Sequence, residues 1–159
     1  RPPGGPAARR VVLVGVAGPS GVGKTTLARR LAAELASPVV PLCLDWFIAP
    51  SKGAKSWEEP EVLDFEQLRS QLQDLRAELA AAPHVPQSWK LGLGEGMDAV
   101  RKGEAGRALG SSAVSVVVEG FLLFYDAALC RMFDVRLWME SDCETCLGRR
   151  CRRGKRQCA

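Results

Sequence analysis

The 159-residue chain is 47% hydrophobic and 25% charged, the balance of an ordinary globular domain with enough apolar content for one buried core. No apolar run approaches the ~20 residues that a membrane-spanning helix needs, and residues 1–10, RPPGGPAARR, lack the apolar segment of a secretory signal and read as a disordered lead-in. The net charge of +4 is local: six of the 22 basic residues lie between Arg149 and Arg156, and the other 16 face 18 acidic ones, so residues 1–148 carry −2. That distribution argues against a general nucleic-acid surface.

In chain order, Val11–Ala17 is almost wholly apolar, as expected for a central strand of a parallel sheet with both faces covered. It runs into Gly18-Pro19-Ser20-Gly21-Val22-Gly23-Lys24-Thr25, the phosphate-binding loop pattern of a glycine, four residues and Gly-Lys-Ser/Thr. A helix with Leu27, Leu31 and Leu35 follows, predicted over 25–36 and ended by Ser37-Pro38. Strand, glycine loop and helix together give the motif its structural context. A helix start leaves amide groups without partners and carries a partial positive charge. The glycines let backbone wrap an anion, and the amides from Gly18 to Thr26 are expected to enclose a triphosphate. Lys24 would reach its outer phosphates and the Thr25 hydroxyl would ligate Mg²⁺.

Val39–Leu44 reads as a second short strand closing on Asp45, and residues 46–60, with Pro50, Gly53 and Pro60, as a loop. From Glu61 to about Ala82, Phe65, Leu68, Leu72, Leu75 and Leu79 recur at spacings of three and four, which predicts a long amphipathic helix. The stripe lasts only two heptads and is read as core packing rather than a coiled-coil seam. Residues 83–112 are rich in Gly, Pro and Ser and read as a flexible surface insertion. Val114–Val118 is a third buried strand ending in Glu119-Gly120. Phe121–Phe133 has a helical portion, Val135–Met139 is a fourth strand, and the chain from Cys143 onward is helical into the arginine cluster. Strands alternating with helices imply an α/β fold with a parallel sheet and right-handed crossovers.

Six cysteines stand at 43, 130, 143, 146, 151 and 158. Cys143-Glu-Thr-Cys146 has C-x-x-C spacing, but there is no second such pair and the single histidine, His84, is remote in sequence. Free intracellular thiols are expected rather than zinc.

Ligands of parallel α/β sheets gather at the carboxyl ends of the strands, where the phosphate loop, Asp45 and Glu119 are all expected. A carboxylate there can hold Mg²⁺ through water, or accept a proton from a hydroxyl under phosphorylation. Asp45-Trp46-Phe47, Trp57-Glu58-Glu59-Pro60-Glu61 with Asp64, and Glu119-Gly120-Phe121-Leu122-Leu123-Phe124 resemble the uridine kinase-like nucleoside kinases, and among them the nicotinamide riboside kinases most. The similarity covers about residues 11–153 and is weakest over 83–112. Trp46 stands where the family usually has a second Asp, and the Trp-Glu-Glu-Pro string is nearer to the aromatic-Asp-His-Pro of uridine kinases.

The resemblance implies a P-loop NTPase-type fold, ATP and Mg²⁺ as cofactors, a small-molecule nucleoside substrate and a cytoplasmic enzyme without nucleic-acid or membrane partners. It makes Asp45 the catalytic aspartate facing the 5′-hydroxyl and the metal, Trp57 the aromatic residue stacked on the base, and Glu58 an acid on the ribose hydroxyls. Trp46, Phe47 and Ile48 fall in its substrate-binding stretch, and Glu119 is the acid beside Mg²⁺. Arg149 and Arg153 match lid arginines on ATP phosphates, and Arg150 one that approaches the substrate. The family continues past the point matching Arg153 into more lid, a helix, a fifth strand and a final helix. Here 154–159 match none of these. The expectation is therefore a four-stranded sheet lacking the family's fifth edge strand, with an apolar edge uncovered.

Overall fold

A computed structural model describes residues 9–49, 56, 58–81 and 113–157, with 154–157 as backbone only. The expected lead-in (apart from Arg9 and Arg10), the insertion 83–112, Trp57 and the last two residues lie outside the described residues. The strands are β1 (Arg10–Ala17), β2 (Leu42–Cys43), β3 (Ala113–Gly120) and β4 (Val135–Trp138), and the α-helices are α1 (Lys24–Glu34), α2 (Phe65–Ala81), α3 (Ala127–Met132) and α4 (Cys143–Gln157). The sheet is parallel throughout, in the order β2-β3-β1-β4.

After the exposed Arg10, β1 is apolar because it is covered on both faces. Val11, Leu13 and Ala17 join the larger core, with the α2 leucines and Leu129 of α3. Val14 and Val16 point the other way, onto Ala28 and Ala32 of α1 and Val117 of β3. Leu68, Leu72, Leu75 and Leu79 of α2 are fully buried against the sheet, so the stripe is core, as its short length implies. The helix begins at Phe65 rather than Glu61. Pro60–Val62 forms a 3-10 turn first, and the Asp64 carboxylate accepts the Gln67 amide at 2.8 Å as a cap.

Strand boundaries differ where burial and pairing part company. Val39 and Leu42 are buried, but only Leu42 and Cys43 pair with β3, opposite Val118 and Glu119. The chain then winds into a 3-10 turn over Leu44–Phe47. This turn is pressed onto β3: a Cβ at Gly120 would lie 2.4 Å from the Leu44 Cβ. It is braced from its far side, where Asp64 donates its amide to the Phe47 carbonyl and Ala49 to that of Val62, both at 2.7 Å. β3 ends in Glu119 and Gly120 as expected and begins one residue earlier, at Ala113. β4 is one edge of the sheet among the described residues, and Val135 and Trp138 stand exposed there.

Candidate active site

The loop from Gly18 to Gly23 joins β1 to α1 with the backbone that its glycines permit. Gly23 caps α1 with φ 109°, and Gly21 has φ 90°, values that L side chains rarely adopt. Gly21 is also crowded, since a Cβ there would meet the Cys146 carbonyl oxygen at 2.5 Å. Lys24 opens α1, is nearly buried, and donates from Nζ to the Pro19 carbonyl at 2.9 Å, bridging its own loop. Burial pushes its ammonium pKa down, while the charges of Glu119 and Asp45 pull the other way.

Residues 20–26 of the loop and first helical turn line a cleft of about 860 Å³ together with Asp45, Ile48, Glu58 and Glu119. Glu119 is almost wholly buried and accepts the Thr25 hydroxyl hydrogen bond at 2.8 Å. Asp45 reaches the cleft from the 3-10 turn. It is solvent-accessible as a residue, yet enough protein surrounds its carboxyl that burial raises the pKa above the ordinary 3.8, with the Lys24 charge opposing. Cys43, opposite Glu119 in the sheet, is pushed up to about 12 by burial and by the Glu119 and Asp45 charges, so its thiol stays neutral. The described residues contain no cluster of three metal-ligating His, Cys, Asp or Glu side chains. One hydroxyl and two carboxylates suit Mg²⁺, a hard cation that keeps waters and borrows oxygens from substrate phosphates.

α4 adds cations to Lys24 and Arg30, which α1 brings to the cleft. Arg149 Nη1 donates to the carbonyls of Gly21 (3.3 Å) and Val22 (3.1 Å), fastening the helix to the phosphate loop. Arg153 lines the same cleft, and so does Arg152. Residues three and four apart share a helix face, so 149, 152 and 153 belong together. Arg152 went unassigned in the sequence, although this spacing identifies it. Arg150 does not line this cleft but pairs with Glu58, which does. That pair borders a second cavity of about 440 Å³, reached by Pro19, Phe121, Cys143 and Cys146.

Of the expected substrate-binding stretch after β2, Asp45 and Ile48 line the cleft. Phe47 does not: it is 1% exposed and belongs to the core. Trp46 packs against that core and lines neither cavity. The Asp-aromatic-aromatic string thus splits into one residue that lines the cleft and two that pack into or against the core behind it. Gly18 shapes the loop from behind, its Cα against the Met139 backbone, without lining the cleft.

A parallel sheet with a glycine loop between β1 and α1, a buried carboxylate beside the loop threonine and a basic helix fastened over it define a P-loop kinase-type α/β protein. No protein-family model matches the chain. It is 29% identical to a nicotinamide riboside kinase of Eremothecium gossypii, over 92% of this chain and 65% of the relative. It is 28% identical to a uridine kinase of Schizosaccharomyces pombe, over 93% of this chain and 33% of the relative. A uridine kinase of Ureaplasma parvum is 26% identical over 87% of this chain and 67% of its own. The chain thus spans about two thirds of the first of these relatives and one third of the second. These similarities support a uridine kinase-like nucleoside kinase family for the chain.

Proposed function

We propose that the chain transfers the γ-phosphoryl group of ATP to the 5′-hydroxyl of a nucleoside, with nicotinamide riboside the favoured acceptor and nicotinamide mononucleotide its product. The observation that carries this reading is that Asp45 and the phosphate loop open into one cleft. The loop amides and Lys24 would hold the triphosphate, and Arg149, Arg152 and Arg153 would face its oxygens with planar donor forks. Phosphoryl transfer needs positioning and charge stabilisation more than covalent participation by the protein. Asp45, with its proton affinity raised by burial, suits the task of accepting the 5′-hydroxyl proton. Mg²⁺, beside Thr25, Glu119 and Asp45, would draw charge from the β- and γ-phosphate oxygens when bound.

On the acceptor side, Glu58 and Arg150 are proposed to contact the ribose and Trp57 the base. Trp is the best aromatic face for a cation, worth ~0.5–2 kcal/mol, and nicotinamide riboside carries a pyridinium charge that uridine lacks. Uridine or cytidine is the second acceptor class, favoured by the relatives that are uridine kinases. The test is a panel of nucleosides with equal ATP, assayed for ADP and for the 5′-monophosphate. Nicotinamide riboside should give the highest kcat/KM, and Lys24→Ala and Asp45→Ala should each abolish turnover. Turnover that survives both substitutions removes the mechanism, and a pyrimidine nucleoside in first place replaces the acceptor.

A further inference from the structure

The first turn of α4 carries two thiols that the phosphotransfer reading does not use. Cys143 is exposed at the first residue of the helix, and Cys146, three residues on, is 8% exposed. Both border the same 440 Å³ cavity, which is also lined by Pro19 and Ser20 of the phosphate loop. Both are free thiols, and no group of three metal-ligating side chains exists among the described residues to recruit them. We propose that Cys143 and Cys146 are a reversible dithiol–disulfide site whose oxidation loosens α4 from the phosphate loop.

The chemistry closes with a small-molecule disulfide as oxidant. The exposed Cys143 thiolate attacks one of its sulfurs, forming a mixed disulfide and releasing one small thiol. The sheltered Cys146 thiolate then attacks the Cys143 sulfur, closing the protein disulfide and releasing the second small thiol. The protein loses two protons and two electrons, and the small disulfide gains both. An exposed attacking thiol and a buried resolving thiol are the arrangement this sequence requires.

Geometry supplies the coupling. Side chains three apart on a helix have Cβ atoms about 5–6 Å apart, whereas a disulfide needs about 3.5–4.5 Å. Closing the ring must therefore tighten the first turn, where Thr145 donates its amide to the Asp142 carboxylate (2.6 Å) and Cys146 to the Asp142 carbonyl (3.2 Å). The Cys146 carbonyl abuts Gly21 with no room for even a methyl group between them, and Arg149, one turn further on, holds the Gly21 and Val22 carbonyls. A shift of this turn has to move the contacts that fix the loop. The effect on nucleotide affinity rests on the reading in the preceding subsection, while formation of the disulfide does not.

The experiment treats the reduced full chain with oxidised glutathione and maps it by mass spectrometry without reduction. The tryptic peptide from Leu137 to Arg149 should lose two hydrogens and carry no glutathione. ATP affinity should weaken by about tenfold or more, limited trypsin cleavage within α4 should quicken, and dithiothreitol should reverse all three. Cys143→Ser should abolish the three responses and Cys151→Ser should leave them intact. A stable glutathione adduct on Cys143 beside an unmodified Cys146 overturns the proposal, as does a disulfide that changes neither ATP affinity nor cleavage. A reduced chain that binds no ATP counts against the nucleotide reading instead, and the mass and trypsin measurements still decide this one.

Discussion

Asp45 shows most directly how a carboxylate held in the cleft conflicts with stability. Burial holds its carboxyl above the ordinary 3.8, and Lys24 only partly offsets this. The folded chain therefore keeps this proton to a higher pH than the unfolded chain does. Stability from this residue falls as pH rises from near 3.8 through the raised value, and at neutral pH the whole cost of the buried charge is present. Asp45→Asn keeps the shape and removes the charge. Its melting temperature at pH 7 should equal or exceed that of the parent chain, with the advantage shrinking as pH falls toward 3.8. Turnover should drop by about 100-fold or more, the scale of lost acid–base catalysis. A variant that melts well below the parent at pH 7 would mean that attraction to Lys24, rather than burial, dominates at this position.

Elements set which residues can act, and α3 and α4 do so differently. Asp126 caps α3 by accepting the Leu129 amide at 2.6 Å and also receives Arg69 from α2 at 2.8 Å. Burial works against its charge, but the amide and the guanidinium outweigh it and hold the carboxyl below the ordinary range. Its stabilisation is thus complete above the unfolded pKa and fades as pH falls through the folded one. Asp126→Ala should cost about 1–2 kcal/mol in urea unfolding at pH 7, less in acid, with nucleotide affinity unchanged. On α4, Arg149 and Arg150 have different partners, the phosphate-loop carbonyls and Glu58 respectively. Arg149→Ala should raise KM for ATP by about 10- to 100-fold and leave the nucleoside KM nearly unchanged, and Arg150→Ala should do the reverse. Equal effects of both on ATP would show that the two contacts are not separate. The same helix shows what a sequence can carry. The α2 stripe and the loop after β1 were legible because periodicity and glycine spacing encode burial and backbone conformation directly. The length of β2 was not, since apolar Val39 and Val40 report burial but not hydrogen-bond pairing. Nor was the fate of Phe47, whose aromatic ring suits a ligand and a core equally well. Arg152 is separated from Arg150, two residues away, only by helix phase.

At the scale of the whole chain, the cleft is assembled from the loop after β1, the start of α1, the turn after β2, the end of β3 and α4, so a ligand filling it ties together segments far apart in sequence. A ligand that binds only the folded chain stabilises it by linkage, about 2.7 kcal/mol at one hundred times Kd. For a chain of this size that corresponds to roughly 5–10 °C in melting temperature. ATP with Mg²⁺ should produce such a shift, and Lys24→Ala should remove it. Melting alone does not say where the ligand sits, so amide hydrogen exchange supplies the location. Protection should rise in residues 18–26 and across α4 through Arg153, because Arg149 already fastens that helix to the Gly21 and Val22 carbonyls. It should change little in α2, whose buried leucines face the sheet away from the cleft. Protection confined to the loop, with α4 unchanged, would show that the arginine helix does not follow the nucleotide. The basic face of α4 would then be solvated charge, and the proposed triphosphate contacts of Arg149, Arg152 and Arg153 would fall with it.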